Sequence, residues 1–260
     1  MAAKHAIGID IGGTGIKGAV VDLASGELVT DRIKLATPDG GEPDDIVATT
    51  KELLGKIDQS EGDLAIGVCF PAVVKNGRTM SAANVSKKWI GLEAEKLFEK
   101  ELGRDIHFVN DADAAGYAET RFGAAKDVKG VVLLTTLGTG IGSALINDGV
   151  LVPNTELGHL ELDGHDAEKK AAYSAMERED LDWKHWGKRL QKYYSHLEML
   201  FTPDLFVVGG GVSKHYEDFF PFLDLNTKIV PAVHRNNAGI LGAAALAIDL
   251  LEAASPASDT

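Results

Sequence analysis

Asp111 follows Val109 and Asn110 and precedes an apolar-patterned stretch, so a carboxylate stands where a strand gives way to a helix. A carboxylate there can cap the helix, a position that Asp favours. It can equally act as a base on a hydroxyl presented at the strand end, where α/β proteins gather their reactive groups. The spacing alone leaves both open. Two further groups could serve the same chemistry. Glycine turns with threonine, Gly12-Gly13-Thr14-Gly15 and Gly138-Thr139-Gly140, can converge backbone N–H groups on an anion and add a hydroxyl donor. Further on, Glu156 and His159 stand three residues apart, a carboxylate and an imidazole whose spacing by itself fixes no role. A lone histidine is as readily a core residue, and a glycine turn is as readily a plain hairpin.

The two Gly-Thr-Gly-Ile copies, at 13–16 and 138–141, have matching surroundings. Each follows an apolar strand (6–11 and 131–137). Each leads into a second strand, 16–21 ending at Asp22 and 141–146 ending at Asn147. The expectation is a duplicated strand–turn–strand unit. Residues 13–18 also fit the spacing of a dinucleotide fingerprint, but that motif must open a helix and find its acidic residue about 20 positions on. Here Gly18-Ala-Val-Val-Asp22 reads as a strand and its acid comes at once. The dehydrogenase reading fails. Asp10 before the first turn and Lys17 after it are suited to a phosphate site.

The elements that must position these groups alternate in type. Helices are expected at 44–57, 92–102, 112–122, 181–200 and 239–251, and further strands at 64–70, 106–109 and 204–208, the last running into Gly209-Gly210-Gly211. The tail, SPASDT, is expected to fray. Such alternation implies α/β layers with mainly parallel central strands. The expected division is an N-terminal lobe, 1–108, and a C-terminal lobe, 109–260, with the last helix a candidate to pack back on the first lobe. The cleft between the lobes is the expected ligand site.

Composition narrows the class. A formal net charge of -13 opposes general binding to nucleic acid or anionic membranes, so neither partner is expected. No apolar run approaches the roughly 20 residues that cross a bilayer. The amino end enters a strand-like segment almost at once, leaving no room for a signal peptide. The single cysteine, Cys69, rules out an intramolecular disulfide and fits a reducing compartment, so the expected location is cytoplasmic.

Residues 10–17, Asp-Ile-Gly-Gly-Thr-Gly-Ile-Lys, resemble the first phosphate motif of the sugar-kinase, actin and Hsp70 superfamily, and more closely that of the ROK family of bacterial hexokinases and repressors. The resemblance spans nearly the whole chain. Through Asn84-Val-Ser-Lys-Lys-Trp-Ile-Gly91 and Glu156-Leu-Gly-His-Leu-Glu161 it extends to the actinobacterial polyphosphate glucokinase or glucomannokinase type. It implies two actin-like (ribonuclease H-like) lobes, each with a hairpin phosphate motif. It also implies hexokinase activity on the 6-hydroxyl of glucose, with mannose a further substrate, and ATP or inorganic polyphosphate as donor. Asp111 becomes the base in that reading and Asn110 a sugar contact. Glu156, His159, Asn84 and Glu168 complete the sugar set, though Glu168 lies closer to His159 than is usual in the family. The second Gly-Thr-Gly becomes the second phosphate loop, and Gly209, Gly210 and Gly211 lie by the adenosine. Mg2+ is expected on the donor phosphates, with Asp10 orienting it indirectly.

Most ROK members carry a cysteine-rich zinc site just after this histidine. Here 163–171 holds no cysteine, so no zinc site is expected. Lys184, Lys188 and Lys192 fall on one helix face and, with Lys87 and Lys88, could line a polyphosphate track; an ordinary solvated face explains them equally. The interleaved Trp183, Trp186 and Tyr193 read as core. A sugar-responsive regulator without catalysis is the rival function. A DNA-binding repressor would need an N-terminal helix-turn-helix, for which no space precedes Asp10, and a non-catalytic relative would be expected to have lost Asp111.

Overall fold

The computed structural model describes residues 4–57, 62–82 and 84–254; residues 255–260, the tail expected to fray, lie outside them. In chain order come β1 (His5–Gly12), β2 (Gly15–Asp22), β3 (Glu27–Leu28), β4 (Ile33–Leu35), α1 (Pro43–Lys56), β5 (Ile66–Phe70), β6 (Val74–Lys75), β7 (Arg78–Thr79), α2 (Ala94–Leu102), β8 (His107–Asn110) and α3 (Asp111–Phe122). Then follow β9 (Val131–Leu137), β10 (Ile141–Asn147), β11 (Val150–Val152), β12 (Glu161–Leu162), β13 (His165–Asp166), α4 (Glu168–Ala171), α5 (Tyr173–Arg178) and α6 (Trp183–Phe201). β14 (Leu205–Gly209), α7 (Tyr216–Phe219), β15 (Ile229–Pro231) and α8 (Ala238–Ala254) complete the order.

The chain forms two units, Met1–Ala114 with Asn237–Thr260, and Ala115–Asn236. The division therefore falls after Ala114, not at the expected 108/109. The cause is pairing: β8 runs parallel to β5 with Phe70 opposite Asn110, which ties Asn110 and the start of α3 to the first sheet. That sheet has the order β3-β2-β1-β5-β8, with β4 also on β2. β1 and β2 form the antiparallel hairpin around the first glycine turn, and β1, β5 and β8 are parallel. The second unit repeats the plan as β11-β10-β9-β14-β15, an antiparallel hairpin β9–β10 followed by parallel β14 and β15. The duplication read from the two Gly-Thr-Gly copies is thus a duplication of whole sheets.

Local chemistry sets the helix ends. Pro43 opens α1 with its fixed φ, Asp44 and Asp45 follow at the positive end, and Lys56 closes the negative end. α2 ends on Gly103 in the left-handed region, φ 69°, whose N–H returns to Glu99 O. Asp182 caps α6 by accepting from His185 N at 2.7 Å.

Each unit has its own core. In the first, the rings of Phe70, Trp89, Phe98 and Phe108 contact one another in sequence, and Trp89 Nε1 donates to Gly41 O at 2.9 Å, which fixes the loop after Asn84. In the second, Trp186, Tyr193, Tyr194 and Phe206 are fully buried. Trp186 Nε1 donates to Ala171 O, and Thr135 and Tyr194 hydroxyls share a 2.6 Å hydrogen bond.

α8 lies directly on β1 and β5. A methyl group on Gly8 or Gly67 would come within 1.9 Å of the Ile240 or Ala243 carbonyl oxygen. Backbone, unlike the end of a side chain, has little room to yield. Gly67→Ala is therefore expected to destabilise by about 1–3 kcal/mol or more, as overpacking does. Gly55→Ala, in α1 with nothing within 4 Å of the new methyl, should be neutral or stabilising by about 0.5–1 kcal/mol. Thermal unfolding followed by circular dichroism checks both, and equal melting points would contradict the close approach of α8.

Candidate active site

In the first unit the parallel register places the carboxyl ends of three strands side by side. Asp10 of β1 pairs with Lys17 across the hairpin and with Cys69 of β5, while Cys69 pairs with Val109 of β8. Lys17 Nζ donates to Asp10 Oδ2 at 3.0 Å, and the Cys69 thiol lies 3.8 Å from Asp10 Oδ1. Burial pushes the Cys69 thiol well up, and the charges of Asp10 and Asp111 push it further, so both carboxylates act on this one sulfur. Beyond the hairpin, Thr14 stands exposed on the turn, and Thr37 Oγ1 donates to Gly12 O at 2.5 Å. Asn84, with a left-handed φ of 59°, adjoins the same turn: a methyl on Gly13 would lie 3.3 Å from its Cβ.

The start of α3 settles what capping leaves for Asp111. Asn110 Oδ1 accepts from Ala112 N at 2.8 Å and from Asp113 N at 3.0 Å, and its Nδ2 donates to Ala72 O at 2.9 Å. Asn110 is the N-cap and is buried, 7% exposed. Its carbonyl oxygen and one N–H are committed to backbone, and the expected sugar contact would fall to the second N–H of Nδ2. Asp111 is the first helical residue, half-buried, with Oδ1 accepting from Ala112 N at 2.8 Å. The helix does not need it as its cap.

In the second unit three of the expected residues meet. The turn 138–140 is closed by Gly138 N donating to Gly140 O, and Ser174 Oγ donates to Thr139 O at 2.7 Å. Glu168, at the start of α4, accepts from Ile141 N through Oε2 at 3.1 Å. Its Oε1 lies 3.9 Å from His159 Nδ1, and Glu156 Oε2 lies 3.8 Å from His159 Nε2. Ser143 holds the segment in place: its Oγ donates to Thr155 O at 2.6 Å and accepts from Leu157 N at 3.0 Å. Burial raises Glu156 above the ordinary value of 4.5; His159 opposes the shift and Glu168 adds to it.

Sequence reasoning missed Asp166, whose Oδ2 stands 3.5 Å from His159 Nδ1. It lies on a two-residue ladder, opposite Glu161, that no sequence pattern announces. Gly209, Gly210 and Gly211 also reach this end of the sheet. Gly209 pairs with Thr136, and Gly210, at φ 81°, passes so near Leu137 that a methyl would lie 2.3 Å from its carbonyl oxygen. The second Gly-Thr-Gly and the Gly-Gly-Gly turn are neighbours.

Among the described residues, no group of three or more His, Cys, Asp or Glu is placed to hold a metal ion. The segment 163–171 is tied down by an Asp163–Lys192 ion pair and by buried Ala167 and Ala171. Lys184, Lys188 and Lys192 are exposed on α6, while Trp186 and Tyr193 are core, as read. None of the described helices is long and apolar enough to cross a membrane.

Residues 6–172 match the sequence model of the ROK family. The chain is 47% identical over 242 residues to polyphosphate glucokinase of Mycobacterium tuberculosis (strain H37Rv), covering 93% of this chain and 90% of that one. It is 44% identical to the Mycobacterium leprae polyphosphate glucokinase over 238 residues, 91% of this chain and 72% of that one. The crystal structure of inorganic polyphosphate/ATP-glucomannokinase from Arthrobacter sp. strain KM superposes with a TM-score of 0.90 at 50% identity, over 96% of this chain and all of the other. A ROK family glucokinase from Streptomyces griseus, 24% identical with a TM-score of 0.78 over 93% of this chain and 98% of that one, shares the fold. The family match takes in both Gly-Thr-Gly hairpins and the segment 156–168, and likeness to the first relatives runs through almost all the rest: the chain belongs to the ROK family.

Proposed function

We propose that this chain transfers a phosphoryl group from inorganic polyphosphate or ATP to the 6-hydroxyl of glucose, and of mannose. The observation that carries the reading is the double engagement of Glu168. One oxygen takes the N–H of Ile141, directly after the second glycine turn, and the other faces His159. A phosphate-type turn and a set of hydroxyl acceptors are thereby built as one piece. The polyphosphate glucokinases and the glucomannokinase that resemble this chain along nearly its whole length support the same reaction.

In this reaction Asp111 accepts the proton of the sugar O6 as that oxygen attacks the terminal phosphorus. The bond from phosphorus to the donor's bridging oxygen breaks, leaving ADP or a polyphosphate one unit shorter. Asn110, by capping α3, holds Asp111 in register. The N-terminus of a helix is also a favourable place for a carboxylate charge. Glu156, His159 and Glu168 accept sugar hydroxyls, with Asn84 a further contact. The turns 12–15 and 138–140 are each suited to present N–H groups to a phosphate, and Gly209 to Gly211 give close backbone approach for the rest of the donor.

Mg2+ prefers oxygen ligands and usually keeps waters and substrate phosphates beside one or two carboxylates. Asp10 fits an indirect role of this kind, because its Oδ2 is engaged by Lys17 at 3.0 Å. Bound to the donor phosphates, the ion would neutralise their charge. Asp10 would accept from one of its waters while keeping Lys17 in place.

Three outcomes test the proposal. Asp111→Ala should lower kcat by about 10²–10⁴-fold in a coupled hexose 6-phosphate assay, with a much smaller change in glucose KM. Near-normal turnover would remove Asp111 as the base. Purified protein given glucose, magnesium and nucleotide-free polyphosphate should form glucose 6-phosphate, and no product would eliminate that donor. Glu156 accepts sugar hydroxyls through both oxygens, and as a charged acceptor, only when ionised; its raised pKa means that protonation starts at a higher pH than for an ordinary glutamate. Glucose kcat/KM should therefore fall on acidification while solvent-exposed carboxylates are still ionised. Glu156→Gln should flatten that acid limb at a lower plateau; an unchanged limb would assign it elsewhere.

A further inference from the structure

His159 is ringed by carboxylates from three elements. Glu156 precedes its own helical turn, Asp166 lies on β13, and Glu168 starts α4. The two ring nitrogens see different members of this set. Nε2 faces Glu156 Oε2 at 3.8 Å, whereas Nδ1 faces Asp166 Oδ2 at 3.5 Å and Glu168 Oε1 at 3.9 Å. A neutral imidazole carries one proton, and its location is set by the stronger acceptor. Glu168 is pulled the other way, since its Oε2 is taken by the Ile141 N–H. Asp166 is the nearer anion to Nδ1, held in register opposite Glu161, and the same Oδ2 lies 3.6 Å from Lys169 Nζ.

We infer that Asp166 is a positioning residue for hexose recognition: it holds the proton of His159 on Nδ1 and so presents Nε2 as an unprotonated acceptor beside Glu156. A sugar hydroxyl then donates to Nε2 while its neighbour donates to Glu156. With the proton on Nε2, that nitrogen would point its hydrogen toward the Glu156 carboxylate, and one of the two acceptors would be lost to the sugar. The arrangement follows the general rule that a carboxylate behind a histidine fixes tautomer and ring orientation. It contributes little to folding, because both partners are substantially exposed, His159 at 56% and Asp166 at 39%.

This inference rests on the proposed sugar site, and the experiment separates the two. Asp166→Asn and Asp166→Ala are prepared in the full-length chain, with Glu156→Gln alongside. Glucose KM and kcat are measured, together with the ring ¹⁵N shifts of His159. In the wild-type chain the neutral ring should show a protonated Nδ1 and an unprotonated Nε2. Both Asp166 variants should mix or reverse that pattern and raise glucose KM on the order of tenfold, with kcat nearly unchanged and the melting temperature close to wild type. Wild-type KM and wild-type ring shifts in both Asp166 variants, with Glu156→Gln impaired, would overturn the role of Asp166 and leave the sugar site standing. Wild-type KM in Glu156→Gln as well would overturn both.

Discussion

The parallel alignment of β1, β5 and β8 is the constraint from which the first unit's chemistry follows. Strand register fixes which side chains share a face, and a slip of one residue would turn every one of them over. In the observed register Asp10, Cys69 and Val109 form a row, and the next row ends at Asn110. Both carboxylates of interest stand at the carboxyl edge of one sheet only because these pairings hold. α8 clamps the same strands through Gly8 and Gly67, whose missing side chains let helix backbone touch strand backbone. Two of the three strands that form this edge are thus also the ones held against α8.

The second unit applies the same constraint at the carboxyl end of its own parallel strands. β9 carries the glycine turn, β14 lies parallel to it, and the Gly209–Gly211 turn is thereby set beside Leu137. Ser143 on β10 then holds the segment that presents Glu156 and His159. One sheet therefore positions two glycine turns and a polar cluster. The hairpin register aligns Ile141 with Leu137, and Ile141 N–H is the group that donates to Glu168.

Much of this was legible in the chain, for local reasons. Strand, glycine turn and strand succeed one another within a few residues, so the hairpins and their duplication could be read directly from pattern. Glu156 and His159 lie three residues apart, and their meeting is equally local. What failed to show depended on partners distant in sequence. The boundary was misread because a break in element type after Val109 is not a break in the sheet: β8 belongs with β5. The spacing at 109–111 could not tell which of two adjacent polar residues caps α3, and only the packing of Asn110 under Ala72 O decides it. Asp166 was invisible because a two-residue ladder has no periodicity. The lysine stripe was visible as a period, yet the pairing of Lys192 with Asp163 was not.

A net charge of -13 at first opposes a polyanionic donor. Screening confines each surface charge to about 8 Å at physiological ionic strength, so the groups near the glycine turns matter more than the total. There the first unit offers less positive charge than its sequence suggests, for Lys17 is paired with Asp10 and the pair is neutral. In the first unit the donor phosphates would then be met by the N–H dipoles of the turn and by the exposed Lys34, whose side chain lies beside Gly15. Dipoles orient phosphates well but neutralise little of their charge. In the proposed reaction a divalent cation travelling with the donor would supply what they lack, and Asp10 at the first turn would accept from its waters. In the proposed site the Asp10–Lys17 pair would thus give geometry first and charge second, which suits a protein whose overall field opposes a polyanionic donor.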